Sequence, residues 1–189
     1  MITIGDQTFD QMTVIIAGGG VVYSQAEDTL AEFASKHRIP VAETQAGKSS
    51  VAQSHPMNFG ASGVDGSAAA NAVSQNADLV IGVGTRFQDF TTGSRTLFGA
   101  GAKLVSINTH GYDAAKHGAG SLVADAKVAL EMLSAALGDY QTEAPDAEAR
   151  ADWLRAVDAY CARPEDQTAL PTDGQVIGAV QRATGEDAV

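Results

Sequence analysis

A doubly wound α/β domain, with a mainly parallel sheet flanked by helices, is the fold class this sequence predicts. Two observations predict it. Short runs such as Thr13–Ala17 and Leu79–Val83 stay apolar along their whole length, as strands buried on both faces must. Between those runs the apolar residues recur at helical spacing, and alternating strands and helices make a parallel sheet with right-handed crossovers.

Taken in order, Thr13-Val-Ile-Ile-Ala17 is a strand that ends in Gly18-Gly19-Gly20, a tight turn. Ser24 and Glu27 have the spacing of a capping box, in which a hydroxyl and a carboxylate each satisfy a helix-end amide. Leu30, Phe33 and Ala34 then carry a helix to about His37, and Pro40-Val41-Ala42 restarts extended chain. Gln45 to Gly66, rich in Gly, Ser, His and Pro, reads as a long loop with at most short helical pieces. Ser67–Asn76 is Ala-rich and helical. Asp78-Leu-Val-Ile-Gly-Val83 is a second strand and closes on Gly84-Thr85-Arg86. Lys103-Leu-Val-Ser-Ile107 is a third strand and Ser121-Leu-Val123 a short fourth. Asp125 caps a helix bearing Val128, Ala129, Met132, Leu133 and Leu137, which Gly138 stops.

Residues 1–140 therefore form the expected sheet domain, and residues 141–189 a linker with helices. Gln141–Glu148 is polar and contains Pro145. Ala147–Cys161 is helical, with Trp153, Leu154, Val157 and Tyr160 on one side, and Gln175–Ala183 is helical again. Gly185–Val189 resembles the lead-in to a further strand.

Composition narrows the function classes. The 189 residues are 44% hydrophobic and 19% charged, which excludes disordered and fibrous chains. Asp and Glu number 23 against 12 Lys and Arg, a net charge of −11. So acidic a surface repels phosphate backbones and anionic lipid, so neither nucleic acid nor a membrane is an expected partner. Cys161 is the one cysteine, which excludes an internal disulfide and a multi-cysteine metal site. The first residues lack a basic start and an apolar core, and no run approaches the roughly 20 apolar residues of a membrane span. A cytoplasmic protein is the expectation.

Candidate binding residues cluster in two turns. Gly18, Gly19 and Gly20 stand at a strand-to-helix junction, where free amides and the helix dipole favour phosphate; a tight turn needing small residues is the alternative. The dinucleotide fingerprint is incomplete, because Tyr23 stands where its last glycine belongs, and Glu43 is placed for a ribose contact. Gly84, Thr85 and Arg86 follow the second strand at the sheet edge where open α/β sheets bind ligands. Arg86 suits a phosphate, or equally a pair with Asp89 that orders the loop. Gly47-Lys48-Ser49 ends like a P-loop, but Ala42 occupies the position of its first glycine. His110, Asp113 and His117 suit surface or capping roles better than a metal, and His55 lies in a loop. No Gly-x-Ser-x-Gly elbow occurs, and Cys161 belongs to a helix as a packing residue.

The order of segments resembles the central domain of thiamine diphosphate-dependent enzymes of the acetolactate synthase and oxalyl-CoA decarboxylase group, a Rossmann-like fold. The resemblance spans Thr13 to Tyr140. Ile15-Ile-Ala-Gly-Gly-Gly20 carries it, followed by Gly47-Lys48, His55-Pro56 and Gly60, Asp78–Arg86, and Val105-Ser-Ile107. Within the group, Ala42–Ser50, Gly84–Thr92, Asp113–Gly118 and Leu170–Gly178 resemble the trihydroxycyclohexane-1,2-dione hydrolases of inositol catabolism. The resemblance implies a noncatalytic middle fragment of a ring-opening hydrolase. Thiamine diphosphate and Mg2+ would then be held by neighbouring pyrimidine-binding and pyrophosphate-binding domains of a homo-oligomer. The Gly-Asp-Gly…Asn motif of that cofactor is missing here. Relatives bind FAD or ADP on this domain, yet where flavin-binding ones read Arg-Phe-Asp-Asp-Arg this chain reads Arg86-Phe-Gln-Asp-Phe90. A stand-alone module for ADP, FAD or NAD, and an acetolactate synthase-type domain, are the alternatives.

Overall fold

Strands that are apolar on both faces need cover on both, and the chain supplies it by winding in two directions from one central strand. The computed structural model describes residues 2–4, 7–9, 12–165 and 168–184. β1 (Ile2–Ile4) and β2 (Gln7–Phe9) pair antiparallel with each other. β3 (Thr13–Ala17) leads through α1 (Gly19–Tyr23) and α2 (Glu27–His37) to β4 (Val41–Glu43). β5 (Asn58–Ala61) and α3 (Ala68–Gln75) precede β6 (Leu79–Val83) and α4 (Asp89–Thr92). β7 (Lys103–Asn108), α5 (Gly111–Ala114), β8 (Gly120–Val123) and α6 (Ala126–Leu137) complete the sheet domain. The six strands β3 to β8 are all parallel, in the order β5-β4-β3-β6-β7-β8. The winding reverses between β3 and β6, the doubly wound arrangement that the apolar runs predicted.

Every residue of β3 is buried, because it lies at the centre of that order. On one face Ile15, Ala17, Val41, Val83 and Ile107 meet Leu30, Phe33 and Ala34 of α2 and Ala126, Ala129 and Leu130 of α6. Asp125 caps α6 as expected, its carboxylate accepting the amides of Lys127 (2.9 Å) and Val128 (3.2 Å), and Gly138 ends the helix.

Two expectations are corrected. Ser24 and Glu27 do not form a capping box: Ser24 is the C-terminal cap of α1, its amide bonded to the Gly20 carbonyl at 3.0 Å, and Ala26 stands at the start of α2. The chain turns at Gln25 (φ +52°), which takes the Ser24 hydroxyl to Asp125 instead. The stretch from Gln45 to Gly66 contains a strand, β5, besides a 3-10 turn at Gln45–Gly47. Asn58-Phe-Gly-Ala61 has no β-branched residue to announce it, and it forms the edge of the sheet. The expected strand lead-in at 185–189 lies outside the described residues.

The chain divides into two compact units, Met1–Ala147 and Glu148–Val189. Residues beyond α6 remain with the first because they satisfy the open carbonyls at the end of α2. Gln141 donates to the Lys36 carbonyl (3.1 Å), the Thr142 amide to that of His37 (2.9 Å) and the Thr142 hydroxyl to that of Arg38 (2.9 Å). His37, fully buried, donates Nδ1–H to the Tyr140 carbonyl at 2.6 Å, while its Nε2 has no partner among the described residues. The second unit holds α7 (Ala147–Tyr160) and α8 (Asp173–Thr184), joined by Tyr160 Oη donating to Asp173 at 2.7 Å and by Arg182 donating to the Cys161 carbonyl at 2.8 Å. Gly178 leaves room for that carbonyl, which would stand 2.1 Å from a Cβ.

His37→Leu keeps the buried volume and removes the Nδ1–H donor to the Tyr140 carbonyl. Urea unfolding should show a loss of about 1–3 kcal/mol. Limited proteolysis should show faster cleavage at Glu143.

Candidate functional site

The carboxyl ends of β3 and β6 adjoin at the reversal of strand order, where open α/β sheets place their ligands. The structure brings Gly18, Gly19 and Gly20 there against Gly84 and Thr85, and adds a third loop from the end of β4. The contact is backbone on backbone. A Cβ on Gly18 would lie 2.4 Å from the Gly84 oxygen, one on Gly84 2.5 Å from the Gly20 Cα, and one on Gly47 2.2 Å from the Ala17 oxygen. Gly84 also has φ +60°, a conformation that strains any side chain. The amide of Gly18 donates to the Val83 carbonyl (2.9 Å), that of Gly20 to Gly84 (3.0 Å) and that of Thr44 to Ala17 (2.8 Å). The glycine turn thus directs two of its amides into the neighbouring loop.

Thr85 is buried, its carbonyl accepting Asn108 Nδ2–H at 3.1 Å. Phe87, buried at φ +45°, lays its ring over Gly82, whose missing Cβ would touch it at 2.4 Å. His117 Nε2–H donates to the Phe87 carbonyl at 2.9 Å and Lys116 Nζ to that of Arg86 at 3.4 Å, so the segment after α5 clamps this loop. Arg86 is exposed and, among the described residues, makes no ion pair with Asp89.

Glu43 does not reach a ribose position. Its side chain is 2% exposed, accepts the Val51 amide at 3.2 Å and lies 3.9 Å from Lys48 Nζ. It therefore organises the 44–51 loop. Burial raises the Glu43 pKa above the ordinary carboxylate range, against the opposing pull of the Val51 amide and Lys48. His55 Nδ1 accepts the Met57 amide at 3.2 Å and its Nε2 meets Ser35 Oγ at 2.8 Å. His110 and Lys116 lie 3.7 and 3.9 Å from Asp113, and no group of three or more His, Cys, Asp or Glu among the described residues is placed to hold a metal ion. A separate cavity of about 600 Å³, lined by neutral residues including Gly63, Asn71, Gln75, Ser94 and Thr96, takes in none of the predicted binding residues.

The family model of the thiamine pyrophosphate enzyme central domain matches residues 10–133. The chain belongs to that family. A 3D-(3,5/4)-trihydroxycyclohexane-1,2-dione hydrolase of Geobacillus thermodenitrificans is 47% identical over 150 residues, covering 78% of this chain and 23% of the relative. A hydrolase of the same name from Clostridium botulinum is 49% identical over 142 residues (71% and 22%). One from Halalkalibacterium halodurans is 45% identical over 145 residues (75% and 23%). The chain spans less than a quarter of the length of these relatives.

The family's cofactor carries a diphosphate, and its metal-binding motif is missing from this sequence. Among the described residues no helix is long and apolar enough to cross a membrane.

Gly84→Ala places a methyl group against Gly20 in left-handed backbone, and thermal or urea unfolding should register a loss of about 2–4 kcal/mol. Glu43→Gln tests the buried carboxylate. A raised folded-state pKa means the native state binds the proton more tightly, so the charged form weakens folding as pH rises. The variant's stability relative to wild type should therefore increase as pH rises from the ordinary carboxylate range near pH 4 and level off above the raised folded-state pKa, read from urea unfolding at each pH.

Proposed function

We propose that this chain is the noncatalytic central domain of a thiamine diphosphate-dependent hydrolase that opens the ring of trihydroxycyclohexane-1,2-dione in inositol catabolism, in the cytoplasm. The identity of 45–49% with hydrolases of that name carries the reading. In support, the edge where α/β sheets usually hold a ligand is packed by three interlocked backbone loops, which suits a part that holds neighbours in place. The catalytic groups, thiamine diphosphate and Mg2+ belong in this reading to pyrimidine-binding and pyrophosphate-binding domains of the parent, a homo-oligomer.

A second reading places ADP, FAD or NAD at Gly18, Gly19, Gly20, Gly84, Thr85 and Arg86. The exposed Arg86, without an Asp89 partner, favours it. The amides of Gly18 and Gly20, already bonded to the β6 turn, do not.

A domain exchange separates the two. The Geobacillus relative, carrying residues 12–142 of this chain in place of its own matching segment, should keep ring opening within about tenfold of its parent rate, a difference of about 1.4 kcal/mol. A folded but inactive chimera would overturn the scaffold reading. The chain alone with thiamine diphosphate and Mg2+ should show no turnover. Titration with ADP, FAD or NAD should give no heat; binding that Arg86→Ala abolishes would establish the second reading.

A further inference from the structure

We propose that the Glu43 carboxyl is a proton-operated latch on the 44–51 loop: neutral, it holds that loop against the glycine turn after β3, and ionised, it loosens it. The proposal rests on the following geometry and not on the catalytic reading above.

Glu43 ends β4 in register with Ala17 of β3 and Ala61 of β5, so it shares a face of the sheet with Ala17 and Val83 of the core. There it is 2% exposed. Most of what faces it is neutral. Oε1 accepts the Val51 amide at 3.2 Å, and the Asn58 side chain and the Ser49 backbone add hydrogen bonds. Lys48 is the one charged group that acts on it among the described residues. Its Nζ stands 3.9 Å away on a side chain 67% exposed, where water screens the charge. A full negative charge at this depth is therefore poorly compensated. Burial outweighs the attractive contacts and raises the proton affinity of the carboxyl.

Closure of the loop converges on this carboxyl. After the 3-10 turn at Gln45–Gly47 the chain runs through turns, with Ser49 at φ +74°, a left-handed conformation that strains a residue other than glycine. Ser50 Oγ donates to the Gly47 carbonyl at 2.6 Å, and Asn58 Nδ2 to the Val51 carbonyl at 2.8 Å. The Val51 amide, the next donor along, ends on Glu43 itself. The near half of the loop lies on the glycine turn: a Cβ on Gly47 would fall 2.2 Å from the Ala17 oxygen, and one on Gly19 3.0 Å from the Ala46 oxygen. Loosening the loop therefore uncovers that turn. An open loop hydrates Glu43 and returns its carboxyl to the ordinary range. The closed form binds the proton more tightly, so closure is strongest at low pH and weakens as the proton is lost. The weakening ends once the pH exceeds the raised value of the closed form.

Amide hydrogen exchange of the full chain, followed by NMR and corrected for intrinsic exchange rates, tests this. The Val51 amide should exchange by a local opening insensitive to low urea, whereas that of Ile15, bonded to the Pro40 carbonyl in the central strand, follows global unfolding. The Val51 opening constant should rise at least about threefold between about pH 4 and about pH 8, and Glu43→Gln should abolish the rise. Lys48→Met, a change on an exposed side chain, serves if Glu43→Gln fails to fold. Without the cation, opening should increase about twofold near pH 8 and stay unchanged near pH 4. An opening constant independent of pH in the wild type, a rise that persists in Glu43→Gln, or Val51 exchange by global unfolding alone would each overturn the proposal. So would an equal effect of Lys48→Met at both ends of the pH range.

Discussion

The architecture depends on the approach of the β3 turn to the β6 turn, close enough for Gly84 to meet Gly20 backbone to backbone. Two adjacent parallel strands that send their crossovers in opposite directions leave an opening at their carboxyl ends, and that opening is commonly a ligand's place. Here the Gly18 and Gly20 amides close it by bonding to Val83 and Gly84, while the β4 loop closes the third side where Gly47 lies against Ala17. One substitution at this contact would have to move a strand end and not merely a side chain.

Around this contact the structure uses polar groups to fix loops. Glu43 is the example with the greatest electrostatic cost. A carboxylate at 2% exposure is unfavourable, and Lys48 and the Val51 amide offset only part of the cost of burying it. The result is an ordered loop whose Gly47 reaches the Ala17 carbonyl. On the opposite side of the reversal, His117 and Lys116 hold the carbonyls of Phe87 and Arg86. Both clamps act on the chain's own backbone.

The parallel sheet was legible because its central strands are buried on both faces and therefore read as unbroken apolar runs. The cap at Asp125 and the stop at Gly138 were legible for a similarly local reason. β5 was not, since Asn58-Phe-Gly-Ala61 draws its pairing from β4 and its shape from the turn after it. Ser24 misled because capping spacing is local while its partner, Asp125, is distant in sequence. Of the site, the sequence marked both glycine turns but not that they press on each other. A glycine required by another backbone and a glycine presented to a phosphate look alike until the fold is known. Gly82 left a visible sign, a glycine inside a β-branched strand, and Phe87 is the ring that requires it.

The pinning of residues 140–142 to the end of α2 has a mechanical consequence. α2 is joined to β3 through α1 and is tied to α6 by Lys36, so the outgoing chain is fixed to the same helix pair that covers the core. His37 makes this attachment from inside the core, with one nitrogen donating to the carbonyl of the half-buried Tyr140. A displacement of the outgoing chain must therefore either break these hydrogen bonds or move α2 against the sheet. The attachment thereby fixes residues 140–142 to the helix pair that covers one face of the sheet.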